Sequence, residues 1–227
     1  YFAVDEFMAF VATRLDGKST RFLPFNKGSE DEGAGNPVVD GHHSTYYLWE
    51  EILQKDMLLR IVREFMFIDD EGTLIFPRYH QLDVVRKISN KVLEVGVGKN
   101  YLIQHSAGSG KSNSIAWLAY RLSSLHNALD ERIFDSVIVV TDRKVLDKQL
   151  QNTIYQFEHK RGVVQKIDKN SQQLADALGY GTNIIITTLQ KFPFVVERVG
   201  ELPARKYAVI VDEAHSSQGG EASKKLK

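Results

Sequence analysis

Two short strings in this chain carry side chains of the types and spacing that chemistry needs. The first is His105-Ser106-Ala107-Gly108-Ser109-Gly110-Lys111-Ser112. The second is Asp212-Glu213-Ala214-His215. Triphosphate oxygens are met by converging backbone N–H groups at a helix N-terminus. That needs backbone with no side chains in the way, which Gly108 and Gly110 supply, with Ala107 and Ser109 as small neighbours. Lys111 then reaches the β and γ phosphates as a point charge, and the Ser112 hydroxyl is a ligand for Mg²⁺. In the second string Asp212 offers a carboxylate to Mg²⁺. Glu213 is placed to orient and deprotonate an attacking water. Lys111 and Glu213 are thus the candidate catalytic pair. His215 fits hydrolysis less well and reads as a coupling residue toward a neighbouring element.

Both strings need a strand before them. Tyr101-Leu102-Ile103-Gln104 is a short apolar run that reads as the strand leading into the loop. Ile115, Leu118, Ala119 and Leu122 follow at helical spacing. Tyr207-Ala208-Val209-Ile210-Val211 is a continuous apolar run suited to a parallel strand covered on both faces. It sets Asp212 at a carboxyl end, where ligands bind in open α/β sheets. The loop departs from the general pattern at its first position, which is His105 rather than Gly. It is closer to the shorter Ala-x-x-Gly-x-Gly-Lys-[Ser/Thr] form, apart from the position of the alanine.

From Arg78 onward, strand-like and helical runs alternate. Leu82, Val85, Ile88 and Val92 mark a first helix. Runs then follow at 101–104, 113–125, 136–140, 144–158, 171–178, 183–187 and 207–211. Such alternation predicts an α/β fold: a parallel sheet flanked by helices. Residues 1–77 read as a smaller, mostly helical connector region. Within it, residues 1–15 place Phe7, Phe10, Val11 and Leu15 on one helical face. Residues 28–44 form a loop. Residues 45–64 are helix in two pieces with Leu48, Ile52 and Leu59 inward. Asp69-Asp70-Glu71-Gly72 joins a hairpin.

Composition narrows the class. The chain has 227 residues, 43% hydrophobic and 26% charged, with no cysteine, so no disulfide or thiolate metal site is possible. No run is long and apolar enough to cross a membrane, and the opening residues show no basic-then-apolar pattern, so a cytoplasmic location is expected. The formal net charge is zero, so any DNA contact must be made by local groups. The chain opens without Met and closes on Lys224-Lys225-Leu226-Lys227, so it is expected to belong to a longer polypeptide.

Other constellations bear on ligand choice. Gln81 lies in Arg78-Tyr79-His80-Gln81. A Gln amide can read adenine, accepting from N6 and donating to N7, which would select ATP. A polar first helical turn is the plainer account of the same residues. Thr141-Asp142-Arg143 and Thr187-Thr188-Leu189-Gln190 each end a strand and open a helix. Thr141, Arg143, Thr188 and Gln190 are candidate DNA-backbone contacts there, with ordinary helix capping as the alternative. Glu158-His159-Lys160 resembles a nuclease tripeptide but lacks a suitably placed Asp. His42-His43 could bind metal but sits in a Gly-rich loop without carboxylate geometry.

With these residues together, the chain resembles the motor (R) subunit of type I restriction endonucleases. Residues 78–227 look like the first RecA-like domain of a superfamily 2 helicase-type translocase. Arg78-Tyr79-His80-Gln81, Ala107 to Ser112, Thr141-Asp142-Arg143, Thr187-Thr188-Leu189-Gln190 and Asp212 to His215 carry that superfamily resemblance. The sharper likeness lies in Phe22-Leu23-Pro24-Phe25-Asn26-Lys27-Gly28, Gly33-Ala34-Gly35-Asn36-Pro37, Tyr47-Leu48-Trp49-Glu50-Glu51 and His215-Ser216-Ser217-Gln218. The resemblance implies ATP and Mg²⁺ as cofactors, and double-stranded DNA with modification and specificity subunits as partners. It also implies ATP-driven translocation before cleavage. It places a nuclease domain before residue 1 and a second RecA-like domain, with an arginine finger, after residue 227. On that basis the 227 residues alone are expected to bind ATP weakly and hydrolyse it poorly. The alternatives are another superfamily 2 helicase or remodelling ATPase, and a nucleotide-binding module without turnover.

Overall fold

The computed structural model describes residues 1–29, 33–141, 150, 152–156, 163–167, 171–189 and 205–213. The chain divides into two compact units, Tyr1–Val84 and Val85–Lys227.

In the first unit, the helix expected over residues 1–15 is absent. Strands β1 (Phe2–Val4), β2 (Ala9–Val11) and β3 (Leu23–Pro24) form an antiparallel sheet in the order β1-β2-β3. The cause is local. The Asp5 carboxylate accepts the N–H groups of Phe7 and Met8 at 2.7 Å each, and Asp5 N–H donates to Met8 O. These bonds make a turn where a helix would need to continue. Burial then alternates: Ala9 and Val11 are buried, while Phe7 is 64% and Leu15 52% exposed. This unit is therefore mixed rather than mostly helical.

The asparagines of the two glycine-rich strings close on one another. Asn26 Oδ1 accepts from the buried Ala9 N–H and from Asn36 Nδ2, each at 2.8 Å. Asn36 Oδ1 accepts from Lys27 N–H, and its Nδ2 also donates to Phe7 O. Gly28 N–H donates to Gly35 O. Phe2, Phe25, Phe76 and Tyr79 pack with ring centroids 5.6–5.9 Å apart, and Tyr47 lies 5.2 Å from Tyr79. The Tyr47 hydroxyl donates to Phe25 O, and burial pushes its pKa up to about 12. The Lys27 ammonium lies over the rings of Tyr46, Tyr47 and Tyr79 and 3.7 Å from Glu51.

The two-piece helix is present as a π-helical turn, Leu48–Ile52, and α1 (Lys55–Glu64). Leu48 and Ile52 point inward as expected. Leu59 does not: it is 58% exposed, and Ile61 takes the buried place. The break between the pieces resets the helical phase, which a continuous count cannot register. The hairpin forms as β4 (Phe67–Ile68) and β5 (Leu74–Ile75), with Asp69 Oδ1 accepting from Glu71 and Thr73 N–H.

Helix α2 (Tyr79–Val95) carries the boundary between the units. The second unit is a four-stranded parallel sheet flanked by helices, as expected of a RecA-like domain. Its strands are β6 (Ser136–Thr141), β7 (Val164–Lys166), β8 (Ile184–Thr188) and β9 (Tyr207–Val211), in the order β7-β8-β6-β9. All six residues of β6 and all five of β8 are buried, the mark of central parallel strands. Helix α3 (Lys111–Ser123) packs on β6, β8 and β9. Helix α4 (Ser171–Tyr180) covers Ile138, Val140 and Ile185 with Leu174, Ala177 and Leu178. Arg205 closes α4 by donating to the carbonyls of Leu178 and Gly179 at 2.5 and 2.9 Å.

Two expectations fail here. Residues 101–104 are not a strand: they join no ladder, and Leu102 is 89% exposed. Apolar character signals a wish for burial, but only a hydrogen-bonded neighbour makes a strand. Strand β7 was not foreseen, because Val164-Gln165-Lys166 is short and mostly polar, as sheet-edge strands are. Of the expected helix at 144–158, residues 150 and 152–156 are helical and the rest lie outside the described residues.

The asparagine clasp yields a stability prediction. Asn26→Ala strands the buried Ala9 N–H and should cost about 1–3 kcal/mol in chemical denaturation. An unchanged denaturation curve would contradict the clasp.

Candidate functional site

The site is built where α3 begins and β9 ends. Parallel pairing sets Val211 beside Val140, and Asp212 N–H continues the ladder to Val140 O at 2.9 Å. The chain then turns. Glu213 sits at φ +53°, a left-handed conformation uncommon for a residue with a Cβ. Its N–H donates to Asp212 Oδ1 at 3.0 Å. Both carboxylates therefore lie at the carboxyl end of β9, at the sheet edge that binds ligands in open α/β folds.

The loop approaches the same point. Gly108 (φ +72°) and Gly110 (φ +81°) both use backbone conformations that a side chain would strain. Ser109 lies buried between them, while Ala107 is exposed. Gly110 is the N-cap of α3 and brings no side chain of its own to cap the first-turn N–H groups. Lys111 and Ser112 follow in that first turn, both half-buried.

The two strings meet through Lys111. Its Nζ donates to Glu213 Oε1 at 2.5 Å and lies 3.8 Å from Asp212 Oδ1. The Glu213 hydrogen bond raises the Lys111 pKa. Burial opposes that shift, and the charges of Asp212 and Glu213 add to it. Two carboxylates thus converge on one cation, a donor set that also suits a divalent ion. Among the described residues no three metal-ligating His, Cys, Asp or Glu side chains gather. Magnesium does not require such a cage; it is commonly held by one or two carboxylates with phosphate and water.

The remaining expected residues are placed as follows. Thr141 and Thr188 are register partners at the carboxyl ends of β6 and β8, the same sheet edge as Asp212. Both are buried; Thr141 Oγ1 donates to Thr187 O at 3.5 Å. Gln81 belongs to the first unit, is buried, and its Oε1 accepts Arg78 N–H at 2.9 Å, capping its own helix. Arg143, Gln190 and His215 lie outside the described residues, as does Glu158-His159-Lys160. His42 and His43 face different carboxylates, Glu50 at 3.9 Å and Glu6 at 4.0 Å. One contact was not legible in the sequence: His105 Nδ1 lies 3.1 Å from Ser109 Oγ. The departure from Gly at position 105 was its only signal.

The ion pair sets a pH prediction. Lysine ordinarily titrates near about 10.4. The folded value of Lys111 is raised, so its stabilising effect is complete below the unfolded value. That effect is lost only as pH climbs through the raised folded value. A lysine-selective NMR titration should find Lys111 above the ordinary value, and Glu213→Gln should lower it. A Lys111 titration at or below the ordinary value would contradict the ion pair.

The fold agrees with what comparison across protein families finds. Residues 80–227 match the family described as SWI2/SNF2 ATPase. That segment contains the whole parallel sheet, the phosphate loop and the Asp212-Glu213 pair. It makes the second unit a superfamily 2 helicase-like, nucleotide-hydrolysing domain, and the chain belongs to the SWI2/SNF2 ATPase family.

Proposed function

We propose that this chain is the ATP-driven motor portion of the R subunit of a type I restriction enzyme. It binds ATP with Mg²⁺ and couples hydrolysis to translocation along double-stranded DNA, ahead of cleavage by the assembled complex. Modification and specificity subunits are its partners. The observation that carries the ATPase part is the 2.5 Å contact between Lys111 and Glu213, which joins the two strings into one site. The restriction part is supported by the first unit. Two of the strings that resemble R subunits, Phe22 to Gly28 and Gly33 to Pro37, are clasped together there through Asn26 and Asn36.

In the proposed reaction the loop N–H groups and Lys111 take the β and γ phosphates, so the ammonium leaves the carboxylates. Ser112 and Asp212 would hold Mg²⁺, which when bound would neutralise charge on the transferring phosphoryl group. Glu213, released from Lys111, orients a water and accepts its proton. The water oxygen bonds to the γ-phosphorus, the bond to the β-phosphate oxygen breaks, and ADP departs. Gln81 selects adenine, and His215 couples the site to its neighbours. Thr141, Arg143, Thr188 and Gln190 line the DNA path.

A second reading is favoured by the family match itself, which covers residues 80–227 and not residues 1–79. It is a DNA-remodelling ATPase without a cleavage function. ATP-dependent cutting of unmethylated DNA in the presence of modification and specificity subunits separates the two.

In the assembled complex, Lys111→Ala or Glu213→Gln should lower ATP turnover by roughly a hundredfold or more, and stop translocation with it. Wild-type ATPase and translocation in either variant would refute the site assignment. Gln81→Ala should relax the preference for ATP over GTP, and unchanged selectivity would remove Gln81 from the site.

A further inference from the structure

We propose that His105 is a positioning residue of the phosphate loop: its imidazole braces Ser109 and so holds the loop ready for a triphosphate. The inference rests on the reading above that this loop binds ATP.

The physical need comes from the loop's own backbone. Ser109 stands between two glycines in left-handed conformations, Gly108 and Gly110. Glycine moves among backbone wells at little cost, so the peptide planes on either side of Ser109 reorient easily. Those same peptides must present N–H groups in one direction to bind phosphate. A loop that samples many orientations loses affinity, because binding must first order it. Backbone bonds restrain it, among them a turn bond from Ser109 N–H to Ser106 O at a long 3.3 Å and one from Asn113 N–H to Gly110 O at 3.1 Å. A side-chain contact adds to them. His105 Nδ1 and Ser109 Oγ lie 3.1 Å apart, joining the first position of the loop to its middle. Nδ1 donates or accepts according to the tautomer, and the hydroxyl serves either arrangement. Ser109 is only 8% exposed and His105 half-buried, so competing water reaches this hydrogen bond less than it would at an open surface.

The arrangement also explains how a bulky ring is accommodated where the general pattern has glycine. A glycine at 105 would leave the loop open but unbraced. An imidazole fastened to Ser109 makes the first position part of the loop's framework. Its action is through Ser109, not on the reacting atoms.

Equilibrium binding of ATP with Mg²⁺ to the full chain tests this. His105→Ala and Ser109→Ala should each raise the ATP Kd roughly two- to tenfold, the range of one ordinary hydrogen bond. The double variant should be no worse than either single, because both remove the same contact. Asparagine places a polar atom where Nδ1 stands, and glutamine places one where Nε2 stands. His105→Asn should therefore recover the affinity and His105→Gln should not. Thermal midpoints without nucleotide should stay with the wild type. If His105→Ala unfolds, Ser109→Ala, which removes only an oxygen, carries the comparison. Additive losses, or glutamine restoring affinity as well as asparagine, overturn the brace. Lys111→Ala separates the two levels. If wild-type ATP binding ignores Lys111→Ala, the loop is not a triphosphate site and the reading beneath the inference falls. If binding needs Lys111 but ignores His105 and Ser109, only the brace falls.

Discussion

One ammonium group sits between two carboxylates, and the arrangement of the second unit follows from what that contact requires. Lys111 can reach Glu213 only if α3 starts where the loop ends and β9 lies beside β6 with Val211 level with Val140. The parallel ladder fixes that register, pairing Val140 with Val211 and continuing through Asp212 N–H to Val140 O. The turn at Glu213, with its left-handed backbone, then swings the second carboxylate toward the lysine. Strain of this kind persists where surrounding structure fixes it, and it concentrates at functional sites. The contact also offsets charge, since two carboxylates this close together repel and the single ammonium cancels one of their two negative charges.

The first unit solves a different problem with the same economy. Its short strands cannot bury enough surface alone, so aromatic rings and side-chain amides supply the order. Asn26 and Asn36 satisfy backbone groups that no strand partner reaches, and Phe25 and Tyr79 fill the space beneath. These are the positions that set the chain apart from a bare ATPase domain.

Sequence patterns were informative where burial alone decides structure. The apolar runs at 136–140, 183–187 and 207–211 became β6, β8 and β9. The helical faces after Arg78 and after Lys111 became α2 and α3. Patterns misled where a few polar contacts outweigh periodicity. Asp5 turns residues 1–15 into a hairpin although Phe7, Phe10, Val11 and Leu15 repeat like a helix. Tyr101 to Gln104 has the composition of a strand without a ladder, and β7 has a ladder without the composition. The site was legible at the level of residue type, because phosphate and metal chemistry restrict what can stand at Gly108, Gly110, Lys111 and Asp212. Partnerships were not, since no periodicity encodes that Lys111 meets Glu213 or that His105 meets Ser109.

The central claim is that the Lys111 ammonium, held by carboxylates in the free protein, is the group that passes to the phosphates of ATP. Side-chain NMR of the Lys111 ammonium measures this directly. In nucleotide-free protein its resonance should shift on Glu213→Gln. On adding ATP with Mg²⁺ it should move, and its position should no longer depend on residue 213. A resonance that stays in place when ATP binds, still governed by Glu213, would contradict the account.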